Sequence, residues 1–229
     1  MCRTGLLTAA LAALLGPAAW AESLLLTLPE DGAWAQYRVI IVRNGQEDPP
    51  YEWTIRSVGR QQLGGEDHRW LELQSKQNGV NVVLFRALVP EKEFGPGKNP
   101  IAAIKKTWVK YDDQPPREIE SVASVDPFLA LILEGPVANL KTEENKEPLD
   151  YPAGRLECTV QTGTHETSLA GFTWKVFHRV LKSDKTPFGV AAMTQEFTGE
   201  FNGQKQGGRV TCTLEKIGKD AKSELTEAN

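Results

Sequence analysis

The sequence predicts an α+β fold that is mostly β: one curved antiparallel sheet of about nine strands, a half-open barrel, with two short helices against its concave face. Two observations predict this fold class. Several segments alternate between apolar and polar residues and are separated by Asn-Gly or Gly-rich turns, which is typical of antiparallel strands. Val80–Pro90 is apolar on both faces, so both sides of the sheet must be covered there. We therefore expect the sheet to be built around Val80–Pro90.

The first twenty-one residues have the pattern of an export signal. Arg3 gives a positive start, an apolar run of Leu and Ala follows, and Ala19-Trp20-Ala21 places small residues where a signal peptidase cuts. A membrane anchor is the competing interpretation, but the apolar run is short for a bilayer span and Gly16-Pro17 interrupts it. We expect residues 1–21 to be removed, with one β-rich domain over residues 22–229, no further transmembrane segment, and a periplasmic or extracellular location.

Four strands are predicted in the first half of the chain. Tyr51, Trp53 and Ile55 face one way while the polar residues between them face the other, which indicates a half-buried strand. Asn44-Gly45 and Asn78-Gly79 are turn signals. The predicted strands are Ala33–Arg43, Tyr51–Val58, His68–Lys76 and Val80–Pro90.

The first of the two helices is predicted after the turn that follows Val80–Pro90. Asn99 can cap this helix, and Ile101, Ile104 and Trp108 fall at helical spacing behind it. Trp108–Tyr111 could instead already be extended. A helix here would cover one face of the sheet.

A short strand, Arg117–Ser124, is predicted before the second helix. That helix is predicted over Asp126–Leu133, and Gly135 is a natural stop for it. Residues 136–152 are acidic and irregular, so we expect a mobile loop there. Two small lobes joined at this loop are an alternative to one sheet.

The last third of the chain returns to strands and ends in a polar tail. Glycine-containing turns separate its apolar segments. The predicted strands are Arg155–Thr162, Phe172–Lys182, Val190–Phe197 and Arg209–Ile217, and the tail is Lys219–Asn229.

Removal of the leader leaves two cysteines, Cys158 and Cys212. In an exported protein two cysteines most simply form a disulfide, and each of these lies on the apolar face of its predicted strand. Two buried free thiols are the alternative. A metal site is not expected, because there is no C-x-x-C motif and the three histidines lack ligand spacing.

The charge and the missing motifs disfavour several classes of function. The formal net charge of −4 argues against nucleic-acid binding, which needs a basic face. The motifs of serine hydrolases, zinc peptidases, P-loop proteins and EF-hands are absent from the sequence, and no cofactor is expected. His178 lies among aromatic residues on an apolar face, where a buried structural histidine is the simpler interpretation than a catalytic one. An enzyme is therefore disfavoured.

The remaining signal is a set of aromatic residues on or beside the predicted sheet. They could simply fill the core, since aromatic side chains dominate core burial. They could instead line an apolar cleft that holds a ligand. The residues predicted for such a cleft are Trp34, Trp53, Phe85, Trp108, Phe128, Trp174 and His178.

Five stretches of the chain resemble exported bacterial proteins of no assigned function. They are residues 32–45, 53–73 and 84–110, and the closing stretches 186–197 and 213–225. The succession of long strands interrupted by mid-chain helices is also similar to the LolA/LppX-type periplasmic lipoprotein-carrier fold, an unclosed barrel with helices in its mouth. This second resemblance implies an apolar or lipid-like ligand between sheet and helices, and it transfers no binding residue.

Three hypotheses about function follow. The first is a non-enzymatic exported protein that binds an apolar or lipid-like ligand between its sheet and its helices. The second is an envelope interaction or assembly module, with a protein partner and a filled core. The third is a hydrolase with dispersed residues, which needs His178 or His68 within hydrogen-bond reach of a carboxylate and a hydroxyl. A continuous apolar cavity of several hundred Å³, the usual size of a ligand pocket, would support the first hypothesis. A filled interior would remove it and leave the second.

Overall fold

The computed structural model describes residues 24–95, 98–111, 114–120, 138–169, 172–201 and 204–225. The predicted leader, and the predicted helix Asp126–Leu133 with Phe128, lie outside these ranges. Twelve β-strands in one sheet dominate the described residues, with a single 3-10 turn at Glu91–Glu93. The strands are β1 Trp34–Arg43, β2 Gln46–Glu47, β3 Tyr51–Leu63, β4 Glu66–Gln77, β5 Val80–Pro90, β6 Lys106–Lys110, β7 Arg117–Ile119, β8 Ala138–Tyr151, β9 Gly154–Leu169, β10 Phe172–Lys182, β11 Val190–Phe201 and β12 Gln204–Gly218.

The sheet consists of two antiparallel meanders joined at the middle by the first and last long strands. The strand order is β7-β6-β5-β4-β3-β1-β12-β11-β10-β9-β8, and the short β2 pairs only with β1. The β1–β12 ladder runs from Trp34 opposite Gly218 to Arg43 opposite Gly208. The sheet is therefore centred on this ladder, whereas the predicted centre, Val80–Pro90, is the third strand from one edge.

Most of the core lies against one face of the sheet, which we call the core face and define by Tyr37, Val39 and Ile41 of β1. All three side chains are buried. The Tyr37 hydroxyl donates a 3.0 Å hydrogen bond to the Val190 carbonyl oxygen, and burial raises the pKa of this phenol above its usual range. The central ladder thus carries a continuous apolar face with its one phenol satisfied.

The predicted α+β class, with nine strands and two helices, is wrong. No described segment forms a helix longer than the 3-10 turn. Asn99 does accept the Ala102 N–H through its side-chain oxygen, at 3.1 Å, but only one turn of chain follows before β6 begins. The alternative that the chain is already extended from Trp108 is confirmed for Trp108–Lys110, because pairing with β5 satisfies this backbone better than a short helix could. Among the described residues, no helix is long and apolar enough to cross a membrane.

The predicted mobile loop at residues 136–152 is also wrong, because β8 occupies Ala138–Tyr151. Its side chains lack an alternating pattern since this edge strand is exposed over most of its length. The main chain pairs with β9 through a ladder that shifts register twice. Charged side chains and irregular pairing are usual on an edge strand, where they discourage association.

The predicted disulfide between Cys158 and Cys212 is absent, and both residues are buried free thiols. Cys212 lies opposite Met193. Met193 lies opposite Val180, which in turn lies opposite Gln161, so these residues share a face. Cys158 is three residues from Gln161 on β9 and points to the other face. Alternation placed each cysteine on an apolar face, but β9 and β12 are separated by two strands and the sulfurs cannot meet. Burial raises the pKa of the Cys212 thiol to about 12, so this thiol stays protonated.

The close contact between Gly208 and its neighbours predicts a selective effect of substitution in the central ladder. A Cβ at Gly208 would lie 2.3 Å from the Val42 carbonyl oxygen and 2.4 Å from the Phe197 ring, whereas a Cβ at Gly207 would lie 3.2 Å from its nearest atom. We expect Gly208→Ala to lower the free energy of unfolding by about 2 kcal/mol or more, because backbone must move to relieve the overlap. Gly207→Ala is the matched control, expected to change it by less than about 1 kcal/mol. Urea denaturation checks this, and equal losses in both variants would contradict it.

Candidate functional site

The predicted cleft residues are distributed over the molecule. Trp53 and Phe85 are buried on the core face. Trp174 is half-buried and meets Phe197 edge to face, with ring centroids 5.7 Å apart. His178 is buried against a second histidine, Phe128 lies outside the described residues, and Trp34 and Trp108 are on the opposite face of the sheet from Trp53.

An apolar cavity does lie on the core face beside Phe85, but it is small. Its volume is about 40 Å³, room for little more than a methyl group or two, against roughly 300 Å³ for a small ligand pocket. A second hollow, of about 270 Å³, lies between β6 and β7 and includes charged side chains of both signs. The apolar cavity is lined by Leu25, Ile55, Leu71, Glu72, Leu73, Phe85, Ala87, Val89, Ile101, Ile104 and Thr107.

The opposite face of β1 and β3–β6 carries a row of charged and aromatic side chains that we call the outer row. Its members are directly opposite one another on successive strands, so they share a face. Glu72, at the centre, is fully buried, and the side chains of the flanking arginines are only 13% exposed. The outer row is, in strand order, Trp34, Arg56, Glu72, Arg86 and Trp108.

Residues 219–225, which we call the strap, leave the end of β12 and cross the sheet along the outer row. The Trp34 indole N–H donates to the Asp220 carboxylate at 3.0 Å. Arg56 then makes an ion pair with Glu224, with 2.8 Å between Nη2 and Oε1. Leu225 is buried to 1% exposure. The predicted polar tail is therefore docked as far as the structure describes it.

The main chain of the strap is held by the two central charges of the outer row. One carboxylate oxygen of Glu72 accepts the Glu224 N–H at 2.9 Å, and the other accepts the Ser223 hydroxyl and, at 3.4 Å, the Leu225 N–H. Arg86 donates to the Leu225 carbonyl oxygen at 3.1 Å. A carboxylate thus meets donors and a guanidinium meets an acceptor, which is electrostatic recognition of a polypeptide backbone.

The arginines of the outer row are fixed by further contacts. The Arg86 guanidinium lies 4.3 Å from the centre of the Trp70 ring, and its Nε is 3.9 Å from the Glu72 carboxylate. Gln74 accepts a 2.7 Å hydrogen bond from Arg56 and donates to Glu224 at 2.8 Å. Residues of the sheet itself thus hold both arginines in addition to the strap, which lowers the ordering cost of placing a segment on the row.

The last member of the outer row retains an unused donor. The Trp108 indole Nε1 is buried and has no hydrogen-bond partner among the residues that the structure describes. Arg86, the member beside it, contacts the last described residue of the strap, Leu225. The row thus extends one strand beyond the strap contacts that are seen.

A separate polar cluster lies on the core face of the C-terminal meander. His178 Nε2 is 2.9 Å from His165 Nδ1, and the Gln195 side-chain nitrogen is 3.2 Å from His178 Nδ1. Burial, reinforced by His165, lowers the pKa of His178 to about 3, and burial also lowers the pKa of His165. Both rings are therefore neutral at pH 7, linked as a donor–acceptor chain.

The histidines give no support to the hydrolase hypothesis. His178 contacts a histidine and a glutamine, and His68 contacts the Glu66 carbonyl oxygen. Neither ring hydrogen-bonds a carboxylate or a hydroxyl within the described ranges. The hydrolase hypothesis requires both of these contacts at one histidine.

Sequence reasoning missed Arg56, Glu72, Arg86 and the strap. A signal for two of them was present, because Glu72 stands between Leu71 and Leu73 and Arg86 interrupts the otherwise largely apolar strand Val80–Pro90. Opposite charges at the centres of neighbouring strands indicate a paired site if the strand register brings them face to face.

Comparisons with known proteins find distant structural likeness and no family. No protein-family model and no curated protein matches the chain. A candidate lipoprotein from Parabacteroides distasonis ATCC 8503 has a TM-score of 0.42 at 10% identity, covering 86% of this chain and 100% of that chain. A candidate exported protein with a YmcC-like fold from Bacteroides fragilis NCTC 9343 has a TM-score of 0.40 at 10% identity, covering 85% and 99%. A MucA/MucB complex from Pseudomonas aeruginosa has a TM-score of 0.17 at 9% identity, covering 82% and 94%.

The first two of these structures carry the names of a lipoprotein and of an exported protein. The LolA/LppX-type likeness is not among the findings, and the helices that it requires are missing from the described residues. TM-scores this low leave the function of this chain to be inferred from its own residues.

The neutral histidine pair predicts a loss of stability in mild acid. The unfolded chain takes up a proton at His178 below about pH 6.5, whereas the folded chain resists it until about pH 3. The free energy of unfolding should therefore fall as the pH drops through this window, by up to about 1.4 kcal/mol per pH unit for this group. Urea denaturation at pH 7 and pH 5 should show a smaller drop for His178→Leu than for the unaltered chain. The control Gln195→Leu removes the partner but not the titrating ring, and should keep the drop; equal drops in all three would refute the assignment.

Proposed function

We propose that this chain is an exported, non-enzymatic protein that binds a polypeptide partner on the outer face of its sheet. The observation that supports the proposal most is the outer row, which already holds a polypeptide segment. Glu72 and Arg86 contact main-chain N–H and C=O groups of that segment, and Arg56 contacts one of its side chains. Such contacts suit a protein ligand better than an apolar small molecule.

Export is supported by the sequence pattern of residues 1–21. The negative net charge and the absence of known catalytic motifs in the sequence also fit a non-enzymatic protein in the cell envelope. An envelope interaction module with a filled core is the function that accommodates these features together.

The packing of the interior argues against the carrier hypothesis. A buried acyl chain needs a continuous apolar space of several hundred Å³, whereas the cavity beside Phe85 measures about 40 Å³. Trp53 and Phe85 belong to the packed core cluster, and Trp34 and Trp108 belong to the outer row. The aromatic residues are thus divided between packing and the polar site.

Binding of a small apolar ligand is the second candidate function, favoured by the composition of the cavity. Its lining is almost wholly apolar, and one side of it is the single turn that contains Ile101 and Ile104. Movement of that short turn would enlarge the space. This candidate requires the cavity to open and predicts a bound lipid in the protein as isolated.

Native mass spectrometry distinguishes the two candidates. We expect the protein purified from its exporting host to have the mass of the polypeptide alone, because the cavity has no room for an acyl chain. A stoichiometric lipid adduct, lost when Ala87→Phe fills the cavity, would establish the second candidate instead. Phe177→Ala, at an exposed position far from the cavity, is the control that should not alter any adduct.

Photo-cross-linking in the exporting cell tests the proposed partner. Lys106 is exposed and shares the outer face with Trp108, two residues further along β6. A photoreactive residue at Lys106 should give one discrete adduct, identified as a protein, while the same residue at the exposed Lys175 of β10 should give none. Identical adduct patterns at both positions, or no protein adduct at Lys106, would count against the proposal.

A further inference from the structure

We infer that the outer row is a recognition track for an extended protein segment with a hydroxyl residue, an acidic residue and a leucine in succession, and that the strap is the resident occupant which a partner segment displaces. This inference rests on the proposed function and specifies its ligand. The strap supplies this succession as Ser223, Glu224 and Leu225.

Each position of the strap is matched by a different chemistry of the track. The hydroxyl of Ser223 donates to Glu72, and the carboxylate of Glu224 pairs with Arg56. Leu225 contributes an apolar side chain that is buried, while its carbonyl oxygen is held by Arg86. A segment with another order of residues would set a carboxylate against Glu72 or leave an arginine unmatched, so the track is selective.

The burial of Glu72 explains why the track needs an occupant. Its carboxylate has no exposed surface, and the donors of the strap satisfy both of its oxygens. Removing the partners of a buried carboxylate lowers the stability of the fold, whereas well-packed apolar residues of similar volume are often at least as stable as a buried charge pair. A charged track on this face is therefore best explained by recognition, since simple covering of the sheet does not require charge.

The strap itself is held in a way that permits exchange. Lys219, Asp220 and Lys222 are exposed, and Leu225 is the one strap residue of the buried class. Few buried apolar contacts hold the strap, and water can reach Glu72 once the strap leaves, so both features limit the free-energy cost of local opening while the sheet stays folded. Opening would uncover Glu72, Arg86 and the leucine site together.

A partner segment has one contact to gain that the described strap does not make. The buried Trp108 N–H lies beside Arg86 in the outer row and is unpaired within the described part of the chain. A segment that continues past its leucine with a hydrogen-bond acceptor would satisfy it. A second copy of this chain offers only the same strap, which the covalently attached strap outcompetes at an effective concentration on the order of millimolar. The chemistry thus favours a different protein.

Binding of a labelled peptide to the full chain tests the track. The probe is the peptide KDAKSEL, which reproduces residues 219–225. In Leu225→Ser the resident strap is weakened, so we expect at least tenfold tighter binding of the probe, by fluorescence anisotropy, than to the unaltered chain. A probe of the same composition in reversed order should not bind. Equal affinity of the probe for both chains, or no binding to a Leu225→Ser chain with an unchanged circular dichroism spectrum, would overturn the inference.

A double-mutant cycle identifies the contact without removing the buried carboxylate. A probe with glutamine in place of its glutamate should bind Leu225→Ser at least threefold more weakly than the original probe. The two probes should bind the double variant Arg56→Gln/Leu225→Ser equally, because the Arg56–Glu224 pair is then already lost. An unchanged preference between the probes would place the peptide somewhere other than the track.

Light scattering on an equimolar mixture of Leu225→Ser and Glu72→Gln chains tests whether a second copy of this chain can occupy the track. We expect monomer masses; a mixed dimer would show that a second copy takes the track and would overturn the choice of a different protein. A cross-link from Lys106 together with failure of the peptide would leave the proposed function standing and remove this inference. Failure of the cross-link as well would remove both.

Discussion

The ladder between β1 and β12 is the constraint on which the rest of the structure depends. It joins two meanders whose other strands pair with sequence neighbours, and it places Trp34 directly opposite Gly218. A Cβ at Gly218 would lie 2.3 Å from the Trp34 ring, so only glycine allows the indole to lie across the end of β12. The strap therefore starts at the first residue of the outer row. The order of residues in the outer row follows from this starting point. Arg56 of β3 lies opposite Trp34, and Glu72 of β4 lies opposite Arg56.

Two buried charge pairs in the N-terminal meander obtain their hydrogen-bond partners from different parts of the chain. Arg69 is fully buried and donates to Glu91 and to Ser57, at 2.8 and 2.9 Å, both within the body of the sheet and its 3-10 turn. Glu72 is buried on the other face, and the strap supplies most of its donors. Fixed elements satisfy the first pair in every state of the folded chain. The second is satisfied only while a segment lies on the outer row, because a hydrogen-bond partner that can leave exposes the charge that it covered.

Strands with local signals were predictable, whereas contacts between distant segments were not. β5 has the predicted bounds because a turn at Asn78-Gly79 precedes a continuous apolar run. β8 was missed because its exposed side chains carry no alternating pattern, and only pairing with β9 defines it. The strap was predicted only as part of a polar tail because its partner Glu72 lies 151 residues before Ser223. The face of Cys158 relative to Cys212 depended likewise on strand order, which alternation within single strands does not report.

The contrast between the histidine pair and the outer row indicates which part of the folded protein can open. The histidine pair is neutral and lies on the strands β9 and β10, whose ladder is regular through both rings, so its hydrogen bonds persist as long as the meander does. The outer row keeps charges, and it keeps them where the covering segment is held by few buried side chains. A neutral pair suits a core that must not open, because a fluctuation in packing then leaves no buried charge without a partner. Charges suit a surface that must remain selective while its occupant changes, because they penalise every segment that lacks the complementary groups. The polar residues of this chain are thus divided between a neutral pair in the closed core and a charged row on which, in the proposed function, the covering segment is exchanged.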